Sequence, residues 1–102
     1  MEAITAFVDI GTLITRSADI HGGRPRISGS GVTVQRIAGW WKLGYDVEEI
    51  SRKIPHLSRA QVHAALAYYF ANRDQIERLI ENETEEYDRF SAEYSNKAAD
   101  VS

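Results

Sequence analysis

Apolar residues recur at three- and four-residue intervals between Val34 and Tyr69, and the pattern is interrupted at Gly44 and Pro55, so it predicts three short amphipathic helices. Val34, Ile37, Ala38 and Trp41 share one face of the first, which Thr33 can cap and which should stop near Gly44. Trp40 falls beside that face. In the second, Val47, Ile50 and Ile54 form the stripe, Asp46 and Glu49 have the spacing of a capping box, and Pro55 ends the helix. Ser58 is the natural cap of the third, with His56 and Leu57 in the connection.

The third helix is apolar on more than one side. Val62, Leu66, Tyr69 and, less centrally, Phe70 form one face, and Ala60, Ala64, Ala67 and Ala71 form a nearly opposite stripe of small side chains. That predicts a central helix, pressed between the first two helices and another surface. From Asp74 to Tyr94 the same register continues through Ile76, Ile80, Tyr87, Phe90 and Tyr94, with polar interruptions at Arg73 and Glu83. Either one bent helix or two helices meeting near Asn72 to Asp74 fits the pattern, with Asp74 an available cap. The stripe outruns what three short helices can cover, so it is expected either to contact a second protein surface or to fold back on its own domain.

Upstream of the helices the pattern changes from period 3.6 to short β-branched runs. Ala3 to Val8 and Thr12 to Thr15 are candidate strands, and Arg26 to Val34 is a weaker extended stretch broken by glycines. Between them His21, Gly22, Gly23, Arg24, Pro25 and Arg26 mix flexible residues with a proline that pushes Arg24 toward an extended backbone. Two arginines are therefore expected to project from an extended, exposed arm. The expected fold is mainly α: a helix-turn-helix core with short N-terminal strands or an arm and a long C-terminal helix. Residues 1–73 would form the domain, residues 74–95 an acidic interaction helix and residues 96–102 a frayed tail.

Charge sharpens this division. The net charge is −3, but residues 1 to 73 carry nine Lys or Arg against six Asp or Glu, whereas residues 74 to 102 carry three against nine. A phosphate-facing surface belongs in the first part, and the acidic helix belongs away from it or on a protein partner. Arg24, Arg26, Arg36 and Lys42 are candidates for phosphate contacts. Arg59, Gln61 and His63, near the start of the third helix, are candidates for base edges. The bland alternatives are that the arm arginines pair with local carboxylates, that Arg59 and Gln61 are ordinary solvated helix residues, and that both tryptophans only fill space.

Other chemistry finds little support. The 102 residues suffice for one small core, with 43% apolar residues and no cysteine to supply disulfides, thiol nucleophiles or zinc-binding thiolates. His21, His56 and His63 have no regular ligand spacing, so neither a metal nor a cofactor is expected. No serine sits in a nucleophile elbow, and HGGRPRISGSG lacks the Lys-Ser or Lys-Thr ending of a phosphate loop. Catalysis is not expected. With no leader pattern and no membrane-length apolar run, the chain reads as a soluble cytoplasmic protein.

The segments GGRPRISG (Gly22 to Gly29), LGYDVEEI (Leu43 to Ile50) and PHLSRAQVHAALAYY (Pro55 to Tyr69), in this order, resemble the DUF433 proteins. The resembling stretch runs from Ile14 to Ile76. These are small winged-helix-like, antitoxin-related proteins often found beside PIN-like toxins. Family members commonly continue the first segment as Gly-Thr-Arg, whereas this chain has Gly29, Ser30 and Gly31. The resemblance implies a dimeric regulator that binds double-stranded operator DNA, with Ile76, Ile80, Tyr87, Phe90 and Tyr94 as the surface that masks a PIN-like ribonuclease. The competing expectation is a non-catalytic protein-interaction module on the same scaffold, without DNA binding.

Overall fold

The computed structural model describes residues 6–19 and 21–83. A 3-10 turn at Ile10–Leu13 leads into strand β1, Ile14–Thr15, and a second such turn at His21–Gly23 precedes β2, Arg26–Ile27. Helices α1, Val34–Lys42, α2, Val47–Lys53, and α3, Arg59–Ala71, follow. A fourth helix, α4, starts at residue 73 and continues to residue 83, the end of the described stretch. The fold is mainly helical with a short N-terminal β element, in keeping with a winged-helix-like helix-turn-helix core. No helix among the described residues is long and apolar enough to cross a membrane.

Local chemistry sets each helix boundary. The Thr33 hydroxyl accepts from the Arg36 N–H, and Asp46 with Glu49 forms the full reciprocal capping box. Ser58 does the same with Gln61: its Oγ accepts the Gln61 N–H at 3.1 Å, and Gln61 Oε1 accepts the Ser58 N–H at 2.7 Å. At the end of α1 the Gly44 N–H donates to the Trp41 carbonyl and the Tyr45 N–H to the Trp40 carbonyl, the paired bonds of a Schellman motif. That motif needs a left-handed residue, and Gly44 supplies it at φ +100°. Pro55 disfavours helical backbone at Ile54, which leaves α2 at φ −132°. Asn72, at φ −130°, separates α3 from α4, and its carbonyl accepts the Ile76 N–H, so Asn72 rather than Asp74 stands at the start of α4.

Strands β1 and β2 pair antiparallel with Ile14 opposite Ile27 and Thr15 opposite Arg26. The Ser30 N–H closes a turn onto the Ile27 carbonyl, with Gly29 at φ +75° in the position that demands positive φ. The Val34 N–H then bonds the Pro25 carbonyl, and Ser28 is tied to both Leu13 and Thr12. The glycine-rich stretch is therefore a small hairpin held against the domain, not a projecting arm. The strand expected over Ala3 to Val8 is absent from residues 6 to 8, which are exposed and irregular; residues 3 to 5 lie outside the described residues. Of Thr12 to Thr15 only the last two pair, because Ile10–Leu13 is taken up by the 3-10 turn.

Helix α3 is central and packs on α1, α2 and the hairpin. Val62, Ala65, Leu66 and Tyr69 meet Val34, Ile37 and Ala38 of α1, Ile50 of α2 and Ile27 of β2 in one buried cluster. Ile76 of α4 belongs to the same cluster and is 1% exposed. Two expectations shift here. Gln35 is buried on α1, whereas Trp41, on the expected face but one turn beyond the core, is 39% exposed and meets the Phe70 ring edge-on at 6.1 Å. Of the alanine stripe only Ala64 is buried; Ala60, Ala67 and Ala71 face solvent among the described residues.

Candidate nucleic-acid interface

Helices α2 and α3 with the connection from Ile54 to Ser58 form the helix-turn-helix pair, and the capping box at Ser58 leaves the first turn of α3 at the surface. Arg59, Ala60 and His63 are exposed there, and Gln61 is half-buried. The Gln61 carbonyl oxygen is committed to the cap, so its amide NH2 is the group left to face outward. Arg59 reaches back to Glu48 at 2.6 Å, an ion pair with both side chains largely exposed. Such exposed pairs contribute about 0–1 kcal/mol. No carboxylate occurs anywhere from Ser51 to Arg73, a stretch that includes Arg52, Lys53, His56, Arg59 and His63. This gap was open to reading from the sequence, yet the coarser split at residue 73 hides it.

The remaining predicted contacts divide by partner. Arg24 pairs with Glu83 at 3.7 Å, and Lys42 with Glu77 at 3.6 Å. Arg26, half-buried on β2, donates to Ser17 Oγ at 3.3 Å and to the Ser30 carbonyl at 3.5 Å, so it fastens the hairpin. Arg36 and His63 have no carboxylate partner among the described residues. The Arg36 guanidinium lies over the Trp40 ring, 5.2 Å from its centroid. Lys53 reaches the other members of this group, 5.7 Å from the Trp40 centroid and 4.4 Å from that of Tyr45. The ring faces attract these cations and orient them. Lys53 was not among the predicted contacts, because only the folded arrangement brings it to Trp40 and Tyr45.

On α4, Ile76 is buried and Ile80 is partly buried against the same core. Tyr87, Phe90 and Tyr94 lie outside the described residues. Among the described residues from Val34 onward, the exposed large apolar side chains are instead Trp41, Leu43 and Phe70.

Where α1, α3 and α4 meet, one carboxylate gathers several donors. The buried Tyr69 hydroxyl donates to Glu77 Oε2 at 2.7 Å, and Arg73 Nε donates to the same oxygen at 3.1 Å. These two bonds, that from Tyr69 first, hold the Glu77 carboxyl below its usual range. Burial, reinforced by Glu77, pushes the Tyr69 phenol up, and the bond to Glu77 raises Arg73. A lowered carboxyl adds stability that is complete above the unfolded glutamate value, about 4.3, and is lost as pH falls through the folded value. A raised phenol has the opposite sign: its contribution holds below about 10 and is lost as pH rises past the folded value. Urea unfolding across pH 2 to 7 is expected to show the acidic loss in the wild type and a smaller loss in Glu77→Gln. Parallel acid limbs for the two proteins would exclude this role for Glu77.

The sequence profile described as "Protein of unknown function (DUF433)" matches residues 14–69. Among solved structures the chain is similar to the crystal structure of a DUF433 member protein from Anabaena variabilis ATCC 29413, with 28% identity, 68% of each chain covered and a TM-score of 0.64. No curated protein matches.

Proposed function

Because this chain belongs to the DUF433 family, we propose that it is a non-catalytic, antitoxin-like regulator that binds operator DNA through its helix-turn-helix as a homodimer in the cytoplasm. The observation that carries this reading is the exposed first turn of α3, capped by Ser58 and set within the carboxylate-free stretch from Ser51 to Arg73. A helix presented by its N-terminal end, with Arg59, Gln61 and His63 toward the groove, matches the way helix-turn-helix proteins read base edges. Arg36 and Lys53 supply phosphate contacts from α1 and α2, and Arg24 and Lys42 join them once Glu83 and Glu77 are displaced. The family resemblance further supports a PIN-like ribonuclease toxin as the protein partner, masked by the acidic C-terminal helix.

The test is salt-dependent binding to a labelled duplex taken from immediately upstream of the protein's own coding region, with a scrambled duplex as control. The log of the binding constant is expected to fall linearly with log salt. Arg59→Ala with His63→Ala is expected to reduce discrimination between the two duplexes by about ten- to a hundredfold. Equal affinity for both duplexes at every salt concentration would sink the operator reading.

A second reading has its own observation. Arg24, Lys42 and Arg59 are each paired with a carboxylate, while Trp41, Leu43 and Phe70 are exposed, which favours a protein-interaction module. Under that reading DNA titrations stay flat, and disrupting Tyr87 and Phe90 abolishes the main association.

A further inference from the structure

The N-terminal segment and the α3–α4 junction flank an open pocket of about 370 Å³. Among the described residues its lining includes two guanidinium groups, Arg16 and Arg24, and no carboxylate. Arg16 Nε donates to the Gly23 carbonyl at 2.8 Å, which fixes the group at the rim. Its two Nη groups have no acceptor among the described residues. Among the described residues the one partner of the Arg24 guanidinium is Glu83, at a long 3.7 Å and outside the lining.

The other walls have a different character. Ile76 is buried in the core and Leu79 and Tyr68 pack against it, so they offer a firm apolar wall. Asn72 and Gln75 add amide groups beside it. A pocket with one guanidinium whose Nη groups lack an acceptor among the described residues, a second guanidinium in a long 3.7 Å ion pair, and an apolar wall is matched by a molecule with an anionic head and an apolar body. The volume lies within the range of small-ligand sites, near its lower end.

We propose that this pocket binds a small organic oxyanion, a carboxylate or phosphomonoester head on an apolar body of about one aromatic ring. Arg16 and Arg24 take the head through charge-assisted hydrogen bonds, and Tyr68, Ile76 and Leu79 take the body. The site is independent of the DNA-reading end of α3: Tyr68 lies nine residues from Arg59, about 14 Å along the helix axis.

The experiment is a titration of the full chain with phenyl phosphate and with phenylacetate, followed by backbone and methyl NMR shifts, with benzyl alcohol as the uncharged control. At least one anion is expected to cause saturable shifts at Gly23, Gln75, Ile76 and Leu79, and the tighter of the two identifies the head group. Benzyl alcohol and the variant Arg16→Gln are each expected to bind about tenfold more weakly. Gln75→Glu places a carboxylate in the lining at an exposed position, leaves the core intact and is expected to abolish binding. The proposal is overturned if neither anion gives saturable shifts at millimolar concentration, if benzyl alcohol binds equally well, or if Gln75→Glu leaves binding unchanged. Because Arg24 is also a proposed phosphate contact, duplex DNA is expected to shift Gly23; shifts from duplex DNA at Gln75, Ile76 and Leu79 as well would overturn the proposal and assign Arg16 with Arg24 to phosphate contacts, leaving the operator reading intact.

Discussion

Ile76→Ala is expected to destabilise the domain by about 2–4 kcal/mol, because a side chain 1% exposed in the central cluster leaves a cavity that rigid neighbours fill only in part. It shares the buried cluster with Tyr69 and Leu66 on α3, which also packs on α1. Against a total stability of about 5–15 kcal/mol for a domain of this size, the loss is large. A melting temperature lower by roughly 10–20 °C is the simplest readout. The variant also tests how α4 is held. Its first turns are joined to the domain by Ile76, by the Tyr69–Glu77 hydrogen bond and by Glu83, which accepts from Gln35 Nε2 at 3.1 Å. A change below about 0.5 kcal/mol, the range of an ordinary surface substitution, would mean that α4 is undocked in solution.

What could be read from the sequence and what could not separate along a physical line. The caps at Thr33, Asp46 and Ser58, the stop at Gly44 and the break at Pro55 are decided by residues within four positions of each other, and the structure has all of them. Core faces follow from periodicity, so Val34, Ile37, Ile50, Val62, Leu66 and Tyr69 were legible too. Gln35 was not, because the carboxylate that accepts from its amide, Glu83, is 48 residues away. The hairpin departs from the expected arm for a similar reason. Glycine and proline in the stretch from Gly22 to Gly31 advertise flexibility, yet Ser17 and Ser30 fasten Arg26 and Val34 bonds Pro25 across the turn.

The candidate site repeats this lesson with charge. A list of basic residues ranks Arg24, Lys42 and Arg59 beside Arg36, but folding brings Glu83, Glu77 and Glu48 to the first three and, among the described residues, no carboxylate to the fourth. The acidic α4 is therefore not kept apart from the basic domain; its first turns lie on it and neutralise part of it. Ranking cations by their partners moves Arg36 up and brings in Lys53.

That ranking yields the second large effect. Arg36→Ala with Lys53→Ala is expected to weaken binding to every duplex by about tenfold or more at moderate salt, and to reduce the slope of log K against log salt by about two. Specific and scrambled duplexes should lose affinity alike, because phosphate contacts position the protein without reading sequence. Arg24→Ala should do less, since Glu83 already offsets its charge. The double variant removes exposed charges without opening the core, so its melting temperature should stay near that of the wild type. Loss through Arg24 with no loss through Arg36 and Lys53 would put the phosphates on the hairpin side of the domain. An unchanged salt slope in both variants would remove the α1–α2 surface and the hairpin together and leave DNA contact to the first turn of α3 alone.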